Sequence, residues 1–97
     1  MDGPIYVFFR VRLTEAWYQL SPTERDNLLA KIVELGKPYG VKRIINCNSR
    51  WSNERWAEFG VEEFPDIAAY HKYNTALEEA GWYRYIDSET MLGTAVS

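Results

Sequence analysis

The chain of 97 residues has little of the residue types on which several kinds of site depend. Cys47 is its only cysteine, which excludes an internal disulfide, and His71 is its only histidine. Neither residue belongs to a pair at metal-ligand spacing, and the sequence has no glycine-rich phosphate loop. We therefore predict no metal site and no cofactor, and we expect Cys47 to be a buried, unreactive side chain.

Basic tracts and long apolar runs are also missing. The formal net charge of -3 argues against nucleic acid as a partner. No apolar stretch approaches the length that a bilayer-spanning helix needs, and the start of the chain lacks the layout of a secretory signal. These absences predict no nucleic-acid partner, no membrane association and a cytoplasmic location. The length predicts one domain over residues 1–97.

Aromatic residues are abundant, at 15% of the chain. Tyr and Trp need a polar partner for their OH or NH group when they are buried. A composition of this kind indicates either an interface or a ligand cavity.

The first predicted strand, Pro4 to Leu13, carries large apolar groups on both of its faces. Ile5, Val7 and Phe9 alternate with Tyr6 and Phe8, which is the period-two pattern of a strand with rings on the side that normally faces water. One small domain does not cover both faces of a sheet easily. We therefore expect a second copy of the chain to cover the second face.

The remaining elements follow from capping and turn signals. Ser21, Pro22 and Glu24 supply the cap, first-turn proline and N3 carboxylate of a helix that Gly36 and Pro38 should end. The other predicted elements are a strand at Val41 to Asn48, a strand at Trp56 to Phe64, a helix from Pro65 to Gly81, a strand at Trp82 to Ser88, and a C-terminal tail at 89–97.

The resulting order, βαββαβ, predicts an α+β, ferredoxin-like fold with a four-stranded antiparallel sheet and two helices on one face. In this topology the first and third strands are neighbours at the centre of the sheet. Arg10 and Arg12 are then expected to pair with Glu58 or Glu62 across the two strands. The predicted interface of a sheet-to-sheet homodimer comprises Tyr6, Phe8, Arg10, Arg12, Trp56 and Glu58.

Two segments carry a resemblance to a known superfamily. The run from Ala16 to Arg25 is similar to the Trp-x-x-Leu-Ser-x-x-Glu-Arg helix entry of darcynin-like proteins, which have no assigned activity, and Trp56 to Tyr70 is also similar in pattern. The chain thereby resembles the dimeric α/β-barrel superfamily, which includes antibiotic-biosynthesis-type monooxygenases, haem-degrading enzymes and polyketide cyclases. The first strand lacks the Asn of the haem-degrading members.

This resemblance implies a homodimeric, cofactor-independent monooxygenase or a cyclase/isomerase that acts on an aromatic or polyketide-like small molecule. The polyketide cyclases pair a His with a Tyr, so the predicted catalytic residues are His71, Tyr70 and Tyr83, with His71 as acid or base. The predicted substrate-binding residues are Phe9, Trp17, Tyr39, Asn74 and Tyr85.

A second interpretation of the same residues needs no chemistry. His71 is equally compatible with a half-exposed position at the edge of its helix, and the tyrosines and tryptophans with ordinary packing. The alternative function is therefore a non-catalytic dimer that binds a small molecule or has a structural role.

Overall fold

The computed structural model describes residues 3–96. The elements in chain order are β1 (Ile5–Leu13), α1 (Glu15–Tyr18), α2 (Pro22–Gly36), β2 (Lys42–Asn48), β3 (Glu58–Phe64), α3 (Ile67–Glu79) and β4 (Ile86–Gly93), with 3₁₀ turns at Lys37–Tyr39 and Trp82–Arg84. The predicted βαββαβ order is confirmed, with α1 as a short addition. Over the described range, none of the helices has the length and apolar character needed to span a membrane.

The start of α2 is the capping box that the sequence predicts. The Ser21 hydroxyl accepts from the Glu24 N–H, and the Glu24 carboxylate accepts from the Ser21 N–H. The end of α2 differs from the prediction, because Gly36 is right-handed and the chain continues into the 3₁₀ turn. Gly40, at a φ of 70°, is the left-handed residue that ends this turn.

Helix α3 begins two residues later than it would with Pro65 at N1. Asp66 is its N-cap, and the Asp66 side chain accepts a hydrogen bond from the Ala69 N–H at 2.8 Å. Pro65 therefore lies before the cap. This cap fixes the direction in which α3 leaves the central strand β3.

The sheet has the order β2-β3-β1-β4, and all three strand pairs are antiparallel. Ile5, Val7 and Phe64 form the core with Tyr73 and Leu77 of α3, and residues of α2 pack against this cluster. Both long helices thus cover one face of the sheet, as predicted. Because β2 is an edge strand, Cys47 is half-buried rather than buried.

The predicted position of Glu58 and Glu62 beside Arg10 and Arg12 was wrong. Glu62 pairs with Val7 and Glu58 pairs with Val11, so both carboxylates lie on the face that the helices cover. Phe59 and Val61 lie on the open face instead. The reason is Phe64, which is fully buried in the core and places every second residue before it on the helix side.

The fourth strand also differs from the prediction. Trp82 to Arg84 form a 3₁₀ turn, and β4 runs from Ile86 to Gly93 along the whole length of β1. Residues 89–93 of the predicted tail therefore belong to the sheet. Met1, Asp2 and Ser97 lie outside the described residues.

Gly60 gives a direct test of the packing at the centre of the sheet. A Cβ at this position would lie 2.6 Å from the Ile45 carbonyl oxygen and 2.8 Å from the Phe9 ring. We expect Gly60→Ala to lower the free energy of unfolding by about 1–3 kcal/mol, because a backbone atom cannot move away as a side chain can. Urea denaturation measures this change.

Gly93→Ala is the matched control, because a Cβ on this β4 glycine would meet nothing within 4 Å. Equal stability of the two variants would contradict the close approach of β2 and Phe9 to Gly60.

Candidate functional site

A cleft of about 600 Å³ lies between the sheet and the two long helices. Its floor is the helix-side face of the sheet, and its walls come from α2 and α3. Leu29 and Val33 of α2 are 44% and 57% exposed and line this cleft instead of filling it. Its volume is in the range of small-molecule sites, and its lining combines apolar and aromatic side chains with a few charged ones.

Glu62 is an enclosed carboxylate of the cleft. Its side chain is 13% exposed, and this burial raises the pKa of the Glu62 carboxyl because the charged form loses water. Arg43 Nη2 lies 3.8 Å from Glu62 Oε2 and opposes the rise by favouring the charged form. A carboxylate of raised pKa is a stronger base than an exposed one, which suits it to accepting a proton.

Tyrosines surround this carboxylate. Tyr73 is 9% exposed, and burial raises its pKa to about 12, with the Glu62 charge adding to the effect. Burial and nearby charges likewise raise the pKa of Tyr83 to about 12, and its hydroxyl donates a hydrogen bond to Asn74 Oδ1. Both phenols therefore stay protonated at neutral pH and serve as hydrogen-bond donors.

The other end of the cleft is aromatic and cationic. Trp17 is 8% exposed, and the Arg25 guanidinium lies 5.6 Å from the centre of the Trp17 ring and 5.8 Å from that of Tyr18. Arg25 also donates from Nε to the Trp17 carbonyl and from Nη2 to the Tyr18 carbonyl. These contacts hold Arg25 in place at the start of α2.

The structure brings five of the eight predicted catalytic and substrate-binding residues to this cleft. They are Phe9, Trp17, Tyr70, Asn74 and Tyr83. Tyr85 follows the 3₁₀ turn and does not line the cleft. The role of each residue stays a prediction.

His71 and Tyr39 lie elsewhere. His71 is exposed on α3 and lines a separate hollow of about 330 Å³ with Tyr39 and Lys72. Its ring packs beside Tyr70, with ring centres 5.8 Å apart, but it is directed away from the cleft. His71 therefore occupies the exposed position at the helix edge that the second interpretation describes, because the turn of α3 that directs Tyr70 inward places the next residue outside.

Sequence reasoning missed Glu62 and Arg43 as residues of the site. Alternation along β3 alone favours Phe59 and Val61 as its core side, which would place Glu62 on the open face. The signal that identifies the correct face is Phe64, the last residue of β3. Phe64 lies an even number of positions from Glu62 and Glu58, so all three side chains are on the same face of the strand.

The open face of the sheet forms a second candidate surface. An apolar row crosses all four strands at one level, formed by Ile45, Val61, Phe8 and Met91. Phe8 is 37%, Ile45 53% and Met91 68% exposed. A continuous exposed apolar patch of this kind marks an interaction surface.

The charged groups on this face pair differently from the prediction. Arg10 binds Glu89 at 2.6 Å and Arg12 binds Asp87 at 3.1 Å, because the long β4 places these carboxylates beside β1. Trp56 lies under the Arg10 guanidinium, 4.5 Å from it, while Glu58 belongs to the cleft.

Tyr6 also lies on this face, where a hydrogen bond to the Glu63 carboxylate raises the pKa of the Tyr6 hydroxyl. Five of the six predicted interface residues thus share the open side of the sheet, and Glu58 is the exception.

Comparison with solved structures identifies the fold of this chain. A dabb family protein from Mesorhizobium loti has a ferredoxin-like fold and superposes with a TM-score of 0.67, covering 99% of this chain and 100% of that one at 18% identity. The chain has the ferredoxin-like fold.

Two further proteins share this architecture. A protein described as a candidate chlorite dismutase superposes with a TM-score of 0.79 at 21% identity over 100% of this chain, which spans only 46% of that protein. SnoaB, a cofactor-independent oxygenase from Streptomyces nogalater, superposes with a TM-score of 0.65 at 14% identity. The superposition covers 99% of this chain and 96% of the SnoaB chain. The predicted resemblance to dimeric α/β-barrel proteins is confirmed at the level of the fold.

No family model and no curated protein matches the sequence. The described residues also hold no group of three or more His, Cys, Asp or Glu side chains placed to bind a metal ion. The activity must therefore be argued from the cleft itself.

Proposed function

We propose that this chain is a small enzyme that transfers a proton on an aromatic or polyketide-like molecule bound in the cleft, with Glu62 as the acid or base. The observation that carries this proposal is the position of the Glu62 carboxylate, 13% exposed inside a cavity that rings surround. A base with a raised pKa, close to aromatic walls, suits proton removal from a carbon beside a carbonyl.

The residues around Glu62 have complementary roles in this proposal. Tyr83 remains protonated, and with Asn74 it forms a hydrogen-bonded pair at the wall of the cleft. Because the Tyr83 O–H is donated to Asn74 Oδ1, the Asn74 amide N–H is the donor with which this pair stabilises the negative charge that develops on an enolate oxygen. Arg43 opposes the rise in the Glu62 pKa and so favours the ionised form that accepts the proton.

Two reactions begin with removal of a proton by such a base, from a carbon beside a carbonyl in the first and from a phenol hydroxyl in the second. In a cyclisation, the carbanion adds to a second carbonyl of the same molecule and Glu62 returns the proton to the new alkoxide. In an oxygenation, a phenol and O2 give a quinone and water, each product receiving one oxygen atom of O2. SnoaB is a cofactor-independent oxygenase of the same fold, and this similarity supports the second reaction as an analogy.

A non-catalytic binding protein is the second candidate function. It is favoured by the position of His71 outside the cleft, which leaves no histidine among the residues that line it. Binding without proton transfer would identify this alternative.

Deuterium exchange tests the enzyme directly. The aromatic ketone 2-tetralone, incubated with the protein in D2O, should exchange the protons beside its carbonyl faster than in buffer, and NMR measures the rate. Glu62→Gln should slow the protein-dependent exchange by about 100-fold, the lower range for loss of a general base.

Glu63→Gln is the matched control, because Glu63 follows Glu62 on β3 but lies on the open face of the sheet. Equal rates for the Glu62 and Glu63 variants would remove Glu62 from the mechanism. Saturable binding of 2-tetralone with no exchange would support the non-catalytic alternative.

We also propose that the protein is a single-domain homodimer joined through the open face of the sheet. The exposed apolar row, flanked by the pairs Arg10–Glu89 and Arg12–Asp87, supports this arrangement. The cytoplasmic location stays a prediction.

A further inference from the structure

The charged residues that line the cleft divide into two groups. Arg43 and Glu62 lie opposite each other on neighbouring strands and form an ion pair. Arg25, Arg50 and Glu58 lie toward the other end. Glu58 and Glu62 are four residues apart on one face of β3, so about 13 Å separates the two groups at the rise of a strand.

Register places Arg25 and Arg50 at the same end of the cleft. Arg50 follows Asn48, which pairs with Glu58, and Glu58 in turn pairs with Val11 near the end of β1. Arg25 is bonded to the carbonyl of Trp17, in the segment that directly follows β1. We define the mouth of the cleft by Arg25, Arg50, Glu58, Trp17 and Tyr18.

Arg25 is a cation held in one position, and its guanidinium has more N–H donors than its two backbone hydrogen bonds use. Its Nε and one Nη2 proton are used by the Trp17 and Tyr18 carbonyls, while a guanidinium has five N–H donors in all. Its stacking on two rings limits its rotation. A guanidinium held in this way is suited to a carboxylate, which it binds with parallel hydrogen bonds.

Arg50 supplies the second cation. It is exposed, lines the cleft, and takes no part in the four ion pairs found among residues 3–96. Glu58, the carboxylate of the mouth, is likewise absent from those pairs. Two guanidinium groups against one carboxylate leave the mouth with a single excess positive charge, which matches a monoanion.

We propose that the mouth binds the carboxylate of an aromatic acid through Arg25 and Arg50, while the rings of that acid extend along the cleft toward Glu62. The proposal rests on the proposed function, since it names the class of substrate for the same cavity. The distance of about 13 Å between the two charged groups accommodates a bicyclic aromatic acid.

Binding of two matched probes tests this inference. The bicyclic acid 2-naphthoate and its uncharged analogue 2-naphthamide are titrated calorimetrically into the wild-type protein. We expect 2-naphthoate to bind about tenfold more tightly than 2-naphthamide, because its carboxylate accepts charge-assisted hydrogen bonds. Added salt should weaken the binding of 2-naphthoate only.

Arg50→Gln should lower the affinity for 2-naphthoate about tenfold and should change the affinity for 2-naphthamide by no more than about twofold. Arg55→Gln is the matched control, because Arg55 belongs to the same turn but lies beside Trp56, outside the cleft. Arg25→Lys retains the charge without the planar fork and should weaken 2-naphthoate by a smaller factor.

Equal affinity of the wild-type protein for the two probes, equal effects of the Arg50 and Arg55 variants, or no binding of either probe would overturn the inference. Its failure is distinguishable from failure of the proposed reaction. Loss of the preference for the acid with Glu62-dependent exchange intact removes only the anion site. A retained preference without exchange removes only the reaction.

Discussion

Glu62→Gln is expected to slow proton transfer about 100-fold and at the same time to stabilise the fold at neutral pH. Burial raises the pKa of Glu62 in the folded protein above its value in the unfolded chain. Between the two pKa values the folded state binds more protons than the unfolded state, so the free energy of unfolding falls as the pH rises. A glutamine at this position carries no charge, so the variant does not lose this part of its free energy of unfolding as the pH rises.

The comparison is made by urea denaturation from about pH 4, below the usual glutamate pKa, to about pH 8. Wild-type protein and the glutamine variant should have similar free energies of unfolding at the acidic end. The variant should become the more stable of the two as the pH rises. Loss of the Arg43 partner subtracts little from this gain, because the Arg43 side chain is 55% exposed.

Glu79→Gln, an exposed substitution on α3, is the control and should leave the pH dependence unchanged. The prediction is contradicted if Glu62→Gln is less stable than the wild-type protein at neutral pH. That result would show that the Glu62 carboxylate stabilises the fold and that its burial carries no net desolvation cost. Gain in stability with loss of activity is the usual signature of a functional residue.

Phe8→Glu is expected to convert the proposed dimer into a folded monomer. Phe8 is at the centre of the apolar row on the open face, and its ring centre lies 6.4 Å from that of Phe59. A carboxylate there would be buried without a partner in the dimer but exposed to water in the monomer. We expect the dimer dissociation constant to rise by at least about thirtyfold, as for a central interface residue.

Sizing chromatography across a dilution series measures this change, and circular dichroism verifies that the variant is folded. Ala68→Glu is the control, because Ala68 is exposed on α3, in the layer on the other side of the sheet. A Phe8 variant that remains dimeric to the same dilution as the control would show that the open face is not the interface.

The sequence predicts the fold well because local signals agree with one another. The capping box at Ser21, the alternation in β1 and the order of elements all indicate a ferredoxin-like chain, and the structure confirms it. Each of these features depends on residues that are close in sequence. They require no knowledge of the partner strand.

The site was predicted less well because its position depends on long-range pairing. In β3 both faces carry large side chains, so only the burial of Phe64 decides that Glu58 and Glu62 face the helices. The length of β4 is likewise set by its pairing with β1 and not by its own polar sequence, in which Asp87 and Glu89 serve as partners of the arginines.

His71 illustrates the limit of choosing a residue by its chemistry. As the sole histidine it was the natural choice for an acid or base, yet the helical position of Tyr70 directs the neighbouring His71 away from the cleft. In the proposed mechanism Glu62 has that role, because burial raises the pKa of its carboxyl. Sequence alone does not show burial on this scale.

The most direct test of the central claim is an NMR titration of the glutamate side-chain carboxyl carbons. The structure predicts one resonance, absent from Glu62→Gln, whose pKa lies above those of the exposed glutamates and rises further in Arg43→Gln. A Glu62 resonance that titrates together with the exposed glutamates would contradict the proposal that a desolvated carboxyl in this cleft transfers the proton.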